Sequence, residues 1–395
     1  MTHVTTTIHT MTTGADPRVA GARLTIDLDA LVSNYRLLAE RSAPAEASAV
    51  VKADAYGLGA EQVVRALAGA GCRRFFVALP EEGLAVRRAA PEAEIYVFNG
   101  LFTPEAAAFY HEGRLLPVLN SQADLAIWEA HGWDDGDTPR PCAVHVETGM
   151  NRLGLTPERA RILAQENALT GALSPRLIIS HLSCGDDPTH PMNQRQLESF
   201  QELAALFPDA ESSLANSAGV FLGGPFLQDT TRPGIALYGG APVGGVANPM
   251  RAVATAETRI AQIRHVPAGQ SVSYGATPVV RDTLVAVAST GYADGYHRSG
   301  SGAGVPLRHA ELEGAHGFIG GHRVPVIGRI TMDLTLFEVT ALGAEGVKVG
   351  DFIELFGPNM PVDEVAKATG TISYEILTSI GRRYERHYIG GEADI

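Results

Sequence analysis

Short apolar runs alternate with helical segments through the first two thirds of the chain, and this alternation constrains the fold more than any other feature. The runs are Ala49–Val51, Phe75–Ala78, Ile95–Phe98, Leu115–Leu119, Cys142–Val146, Leu177–Ser180, Leu214–Asn216 and Thr231–Ile235, eight in all. Between most of them, the segments Ala60–Ala70, Glu81–Ala89, Pro104–Tyr110, Ser121–Glu129, Pro157–Asn167 and Arg195–Phe207 carry helical periodicity and helix end signals. Strand, helix, strand in repetition implies a parallel sheet. Eight such units within about 250 residues predict an α/β fold of the (β/α)8 TIM-barrel type, with its chemistry at the C-terminal strand ends. The seventh connection, from Ser217 to Arg232, is too short and glycine-rich for a full helix. Loops after the seventh and eighth strands of such barrels often bind phosphate through backbone N–H groups, and Ser217, Gly234 and Ile235 fall there.

Beyond about Met250 the texture changes. Alternating runs at Arg259–Val266, Leu284–Ala288, Val324–Ile330, Thr335–Val339 and Phe352–Phe356, with Gly and Pro between them, predict a mainly β domain. The expected organisation is a mobile tail over residues 1–20, a barrel over 21–252 and a β domain over 253–395. Two domains suit a chain of 395 residues, which exceeds the length at which one core stops growing. A net charge of −13, from 44 acidic against 31 basic residues, with no basic run, argues against a nucleic-acid partner. Cys72, Cys142 and Cys184 lie far apart with no Cys-x-x-Cys pair, which fits a reducing compartment rather than a disulfide framework or a zinc ribbon. No segment reaches the roughly 20 consecutive apolar residues of a membrane span, so a soluble, cytoplasmic protein is expected.

The chemistry begins at Ala49-Val50-Val51-Lys52-Ala53-Asp54-Ala55-Tyr56-Gly57-Leu58-Gly59, where an apolar strand ends in a lysine and breaks into a glycine-punctuated turn. An ammonium is heavily hydrated, so its burial at a strand tip is costly unless charge or chemistry compensates. A Schiff base does so; an isolated lysine more commonly snorkels to solvent.

These residues resemble the lysine segment of the alanine racemases, pyridoxal-phosphate enzymes built from a barrel and a β domain. The resemblance extends through Thr148-Gly149-Met150-Asn151-Arg152-Leu153-Gly154, Asn216-Ser217, Arg232-Pro233-Gly234-Ile235, Ser273-Tyr274-Gly275, Gly291-Tyr292-Ala293-Asp294-Gly295-Tyr296, Met332-Asp333 and Tyr374-Glu375. It implies that Lys52 binds pyridoxal 5'-phosphate covalently and, once released by substrate, is the base for the D enantiomer. Tyr274 is then the opposite base, for the L enantiomer. Such a phenol needs positive or hydrogen-bonding neighbours to work near neutrality, and His181 and Arg232 are suitable. Arg232 resembles the arginine facing the pyridine nitrogen, which a guanidinium that keeps its proton leaves unprotonated. Tyr56, Ser217, Gly234, Ile235 and Tyr374 match the phosphate positions, and His181 a further cofactor position. Arg152, with the backbone amide of Met332, matches the substrate-carboxylate site. Tyr292 and Asp333 match other active-site positions, Tyr292 with Tyr374 narrowing the entrance in the family.

One departure stands out. Many alanine racemases carry a lysine, modified to a carbamate, where His145 stands here. Arg152 is then held by Glu147, by a bound anion or by His145, and the sequence leaves the three open. The run His181-Leu182-Ser183-Cys184-Gly185-Asp186-Asp187 offers metal ligands without a partner motif, and no metal is expected. The resemblance further implies a homodimer whose two sites each take Tyr274 and Met332 from the neighbouring chain. The expected function is two-base racemisation of alanine. The alternatives are a broader amino-acid or serine racemase, a barrel-plus-β decarboxylase and, from another class, a pyridoxal-phosphate homeostasis protein with a barrel lysine but no C-terminal domain.

Overall fold

The computed structural model describes residues 11–131, 140–303, 305 and 314–391. They fall into two compact units: one holds the residues through Leu31, Tyr238–Gly240 and the chain from Met250 onward, and the other holds Val32–Leu237 with Ala241–Pro249.

The second unit is the (β/α)8 barrel. Seven parallel strands, β1 (Ala49–Val50), β2 (Arg74–Val77), β3 (Glu94–Val97), β4 (Leu116–Leu119), β5 (Arg140–His145), β6 (Leu173–Ile179) and β7 (Glu211–Ser213), pair in sequence order. Their apolar runs are buried on both faces: Phe75, Phe76, Val77, Ile95, Val97 and Val118 have no exposed surface. That explains why the sequence shows continuous runs rather than alternation. Residues 230–233 close the ring. Arg232 N donates to Ala215 O at 2.8 Å on one side, and Val50 N and Ser48 N donate to Pro233 O and Thr231 O at 3.0 Å on the other.

The helices begin where capping chemistry permits. Ser121 caps Gln122–Ala130 by accepting from Asp124 N, and Thr156 caps Pro157–Thr170 by accepting from Arg159 N with Pro at the first helical position. After β7 the connection shrinks to the six-residue helix Ser217–Leu222, capped by Asn216, as its glycine content predicts.

The other unit is a nine-stranded, mostly antiparallel sheet built around the long strand Ala254–Val266, which pairs with Ala22–Asp27, Phe352–Phe356 and Thr283–Ala288. Ala22–Asp27 was expected within the barrel. It pairs instead with Ala254–Thr258 and with Glu385–Ile389, because its alternating burial suits a sheet with one covered face. Of the tail expected over residues 1–20, Met11–Gly14 is a strand on Glu385–Ile389; residues 1–10 lie outside the described residues. A small core of Val266, Val272, Val279 and Val285, covered by Ile327 and Leu336, seats the hairpin of Ser271–Val272 and Thr277–Pro278. Among the described residues no helix is long and apolar enough to cross a membrane.

Candidate active site

In the barrel unit the expected residues collect at the C-terminal ends of the strands. Lys52 follows β1 directly and is followed by a turn in which Ala53, Asp54, Ala55 and Tyr56 all have positive φ. Burial draws the Lys52 ammonium below its ordinary pKa and the Arg152 guanidinium pushes the same way, while Glu82 opposes them. The amine is thereby made easier to deprotonate, as a nucleophile or base requires.

The turn carries Tyr56 against Gly234. A Cβ on Gly234 would lie 2.3 Å from Tyr56 Oη, so only glycine lets the phenol reach that backbone. Ser217 Oγ meets the same strand end, accepting from Gly234 N at 2.8 Å and Ala236 N at 3.3 Å. Two hydroxyls and the amides that open the turn Ile235–Tyr238 thus gather where β1 and residues 230–234 end. This cradle fits a phosphate.

Arg232 is 2% exposed, and its guanidinium is spent on the barrel wall. It donates to Ser213 O at 2.7 Å, to Ser213 Oγ and to Ser180 O, and lies over the Phe76 ring. Burial lowers its pKa, but three acceptor oxygens keep the cation in place. That buried positive charge shapes its neighbours. His145 and His181 are each pushed down to about 3, first by loss of water and then by Arg232 and Arg152. Both imidazoles are therefore neutral at physiological pH.

The site also contains residues that the motifs did not reveal. Both Nδ2 hydrogens of Asn120 go to carbonyls, Phe98 O and Val118 O, each at 2.8 Å. Its Oδ1 must then accept from His145 Nδ1 at 2.7 Å, which fixes the proton on Nδ1 and leaves Nε2 with its lone pair. Gln196, wholly buried, joins two functional loops. Its Nε2 donates to His181 O at 2.8 Å and Thr148 Oγ1 at 3.2 Å, while its Oε1 accepts from Ser183 N and Ser183 Oγ.

Arg152 sits exposed on a loop closed by Leu155 N to His145 O at 2.7 Å and Glu147 N to Leu155 O at 2.9 Å. Of the three holders left open by the sequence, Glu147 acts on the loop rather than on the guanidinium: its carboxylate accepts from the backbone N–H groups of Gly149 and Asn151. Among the described residues the Arg152 guanidinium has no hydrogen-bond or ion-pair partner, and its donor fork is available to a carboxylate.

The β unit holds the remaining residues. Tyr274, 73% exposed, tops its hairpin on a turn in which Ser273, Gly275 and Ala276 have positive φ. Ser273 Oγ donates to Arg329 O at 2.7 Å, and a Cβ on Gly275 would meet the Arg329 guanidinium at 2.9 Å, so the turn rests on residues 328–329. Met332 lies on the turn Thr331–Leu334, which packs so closely on Gly291 that a Cβ there would be 2.2 Å from Thr331 O. The Met332 carbonyl accepts from Ala293 N, while its N–H has no partner among the described residues. Asp333 is ion-paired to Arg383, which also holds Asp294. Tyr292 and Tyr374 are 42% and 41% exposed.

Comparison with known proteins agrees with this reading over most of the chain. Residues 26–242 match the family described as "Alanine racemase, N-terminal domain" and residues 253–388 the one described as "Alanine racemase, C-terminal domain". A Rhizobium meliloti protein named "Alanine racemase" is 53% identical over 373 residues, covering 94% of this chain and 98% of its own. An Agrobacterium fabrum protein named "Alanine racemase, biosynthetic" is 52% identical over 371 residues, covering 94% of each. The crystal structure of alanine racemase from Bartonella henselae, with covalently bound pyridoxal phosphate, superposes with a TM-score of 0.85 at 39% identity, over 94% of this chain and all of that one.

Proposed function

The chain belongs to the alanine racemase family, the pyridoxal-phosphate-dependent isomerases of L- and D-alanine, and from that premise we propose that Lys52 and Tyr274 are its two bases. Bound pyridoxal phosphate supplies an electron sink that makes the α-proton of the amino acid removable. Lys52 would hold the cofactor through Nζ until the substrate amine displaces it, which frees the Lys52 amine to act as a base. Tyr56, Ser217, Tyr374 and the amides of Gly234 and Ile235 would hold its phosphate, and Arg232 and the neutral His181 would serve its ring. The Gly234 cradle and the buried Arg232 cation support this assignment.

Racemisation needs a proton removed from one face of Cα and another delivered to the opposite face, which one base cannot do alone. Lys52 Nζ accepts the proton of D-alanine while Tyr274 Oη delivers one; the reverse sequence serves L-alanine. Arg152 orients the substrate by its carboxylate, with the Met332 N–H as second donor, and the pinned, neutral His145 Nε2 is an acceptor toward the same loop. Asp333 stiffens the Met332 turn through Arg383. The observation that carries the reading is the amine of Lys52, at the end of the first barrel strand, drawn below its ordinary pKa by burial.

The active protein is a homodimer in the cytoplasm, each site taking Tyr274 and Met332 from the partner chain. Support comes from their exposure: Tyr274, Met332 and Tyr292 carry apolar surface that a lone chain leaves in water. The test is incubation with L-alanine in deuterated water, following α-deuteration and optical purity together. Loss of purity in step with deuteration is expected; deuteration with purity retained would remove the two-base assignment.

A further inference from the structure

Lys52 is aimed by a piece of backbone that L-residues resist. Ala53, Asp54, Ala55 and Tyr56 have φ of 53°, 54°, 53° and 57°, a full left-handed turn. Each Cβ in such a turn crowds the next carbonyl, and glycine alone escapes the penalty. Ala53 and Asp54 are exposed, so packing does not hold them there.

Hydrogen bonds do. Within the segment, Ala55 N bonds Val51 O at 2.9 Å, Gly57 N bonds Ala53 O at 2.8 Å, and Asp54 Oδ1 accepts from Ala60 N at 2.7 Å. From outside, Glu82 Oε1 accepts from Ala53 N at 2.7 Å. The other oxygen, Oε2, accepts from Ala78 N at 2.8 Å and Leu79 N at 3.1 Å, where β2 runs into the helix Pro80–Ala89. The Leu79 bond is an ordinary helix cap, in which the third helical residue reaches back to the cap backbone. A cap does not account for the second oxygen on Ala53, the residue next to Lys52 and 29 positions away in sequence.

We propose that Glu82 is a positioning residue for Lys52: its carboxylate bridges β2 to the left-handed turn and holds that turn in the conformation that aims the amine. The inference rests on reading Lys52 as the cofactor lysine. Glu82 also opposes Arg152 in the electrostatics of the amine, with neutral His181 nearby, so its charge acts on Lys52 in addition to its geometry.

The experiment compares Glu82→Gln, Glu82→Ala, Ala53→Gly and the double variant Glu82→Gln/Ala53→Gly in the full-length holoenzyme. The readouts are the rate of cofactor release, followed by the absorbance of the Lys52–cofactor bond, and kcat and KM for alanine. A glutamine keeps one acceptor oxygen and cannot serve both sets of donors. Glu82→Gln should release cofactor about 10-fold faster and lower kcat about 10-fold, with KM changed less than about 2-fold. Glycine at position 53 takes positive φ without the Cβ penalty, so the double variant should return cofactor release to within about 3-fold of the parent. Release at the parent's rate in Glu82→Gln overturns the proposal. A double variant no better than Glu82→Gln also overturns it, because Glu82 would then act only as a helix cap. Should Glu82→Ala fail to fold, the glutamine pair decides. Lys52→Ala separates the two layers: if it kept the cofactor absorbance, the reading of Lys52 itself would fail whatever the Glu82 variants did.

Discussion

The two halves of the proposed catalytic set are held in opposite ways. Around Lys52 the polar atoms are spent on the fold: Arg232 on Ser180 and Ser213, Asn120 on two carbonyls and His145, Gln196 on two loops at once. In the β unit the turns beneath Tyr274 and Met332 are just as firmly braced, yet the groups themselves point into solvent, Tyr274 73% and Met332 54% exposed. The barrel thus prepays the desolvation of a cofactor site within one chain. The β unit offers rigidly presented but uncovered groups, the condition of a surface completed by something else. It follows that substitutions in the first set should register in stability, whereas those in the second should register in turnover alone.

Tyr274→Phe gives the largest contrast. Losing a general acid–base group typically costs about 10²–10⁴-fold, so kcat should fall by that range in both directions while cofactor absorbance persists. Within a single chain Tyr274 is 73% exposed and its hydroxyl bonds nothing among the described residues, so the midpoint for unfolding the chain should not move beyond the roughly ±0.5 kcal/mol of ordinary surface changes. A Tyr274→Phe chain that is measurably less stable, or one as active as the parent, would break the division.

Gln196→Ala is the opposite case and a smaller effect. It strands the Ser183 N–H and frees Thr148 and the His181 carbonyl around a wholly buried side chain. An unsatisfied buried group costs about 1–3 kcal/mol, which urea denaturation should register as a lower midpoint. Turnover should fall as well, because the same amide ties the loop leading to Arg152. Unchanged stability would place Gln196 with the exposed set.

The barrel was legible because its signal is local. Each strand is a run of consecutive apolar residues, such as Phe75–Val77, and each active-site turn carries its own glycine, as at Gly57, Gly234 and Gly275. What escaped was non-local. Ala22–Asp27 alternates as a half-covered strand should, but its partners lie at 254–258 and 385–389, and nothing in its own residues says so. The seventh strand is paired over Glu211–Ser213, three polar residues just ahead of the apolar Leu214-Ala215 that marks it in sequence. Glu82 and Asn120 look like ordinary polar residues at a helix start and a strand end, and Gln196 like one inside a helix. Their roles depend on partners 29, 25 and 48 positions away, supplied only when the ring closes.

The last prediction concerns pH, and it belongs to the barrel alone. His145 and His181 have folded pKa values near 3 against an unfolded value of 6.5, so below that value the unfolded chain binds protons that the folded one refuses. Stability from these two groups is complete above 6.5 and is lost as pH falls toward 3. Between pH 5 and 6.5 ordinary carboxylates remain ionised in both states, and the histidine contribution is separable there. The thermal midpoint should therefore drop progressively from pH 6.5 to 5, with a shallower drop in His145→Asn, whose amide can still donate to Asn120 but does not titrate. Tyr274→Phe should follow the parent's curve throughout. A His145→Asn curve as steep as the parent's would mean that His145 is charged in the folded chain, and the neutral acceptor beside the Arg152 loop would go with it.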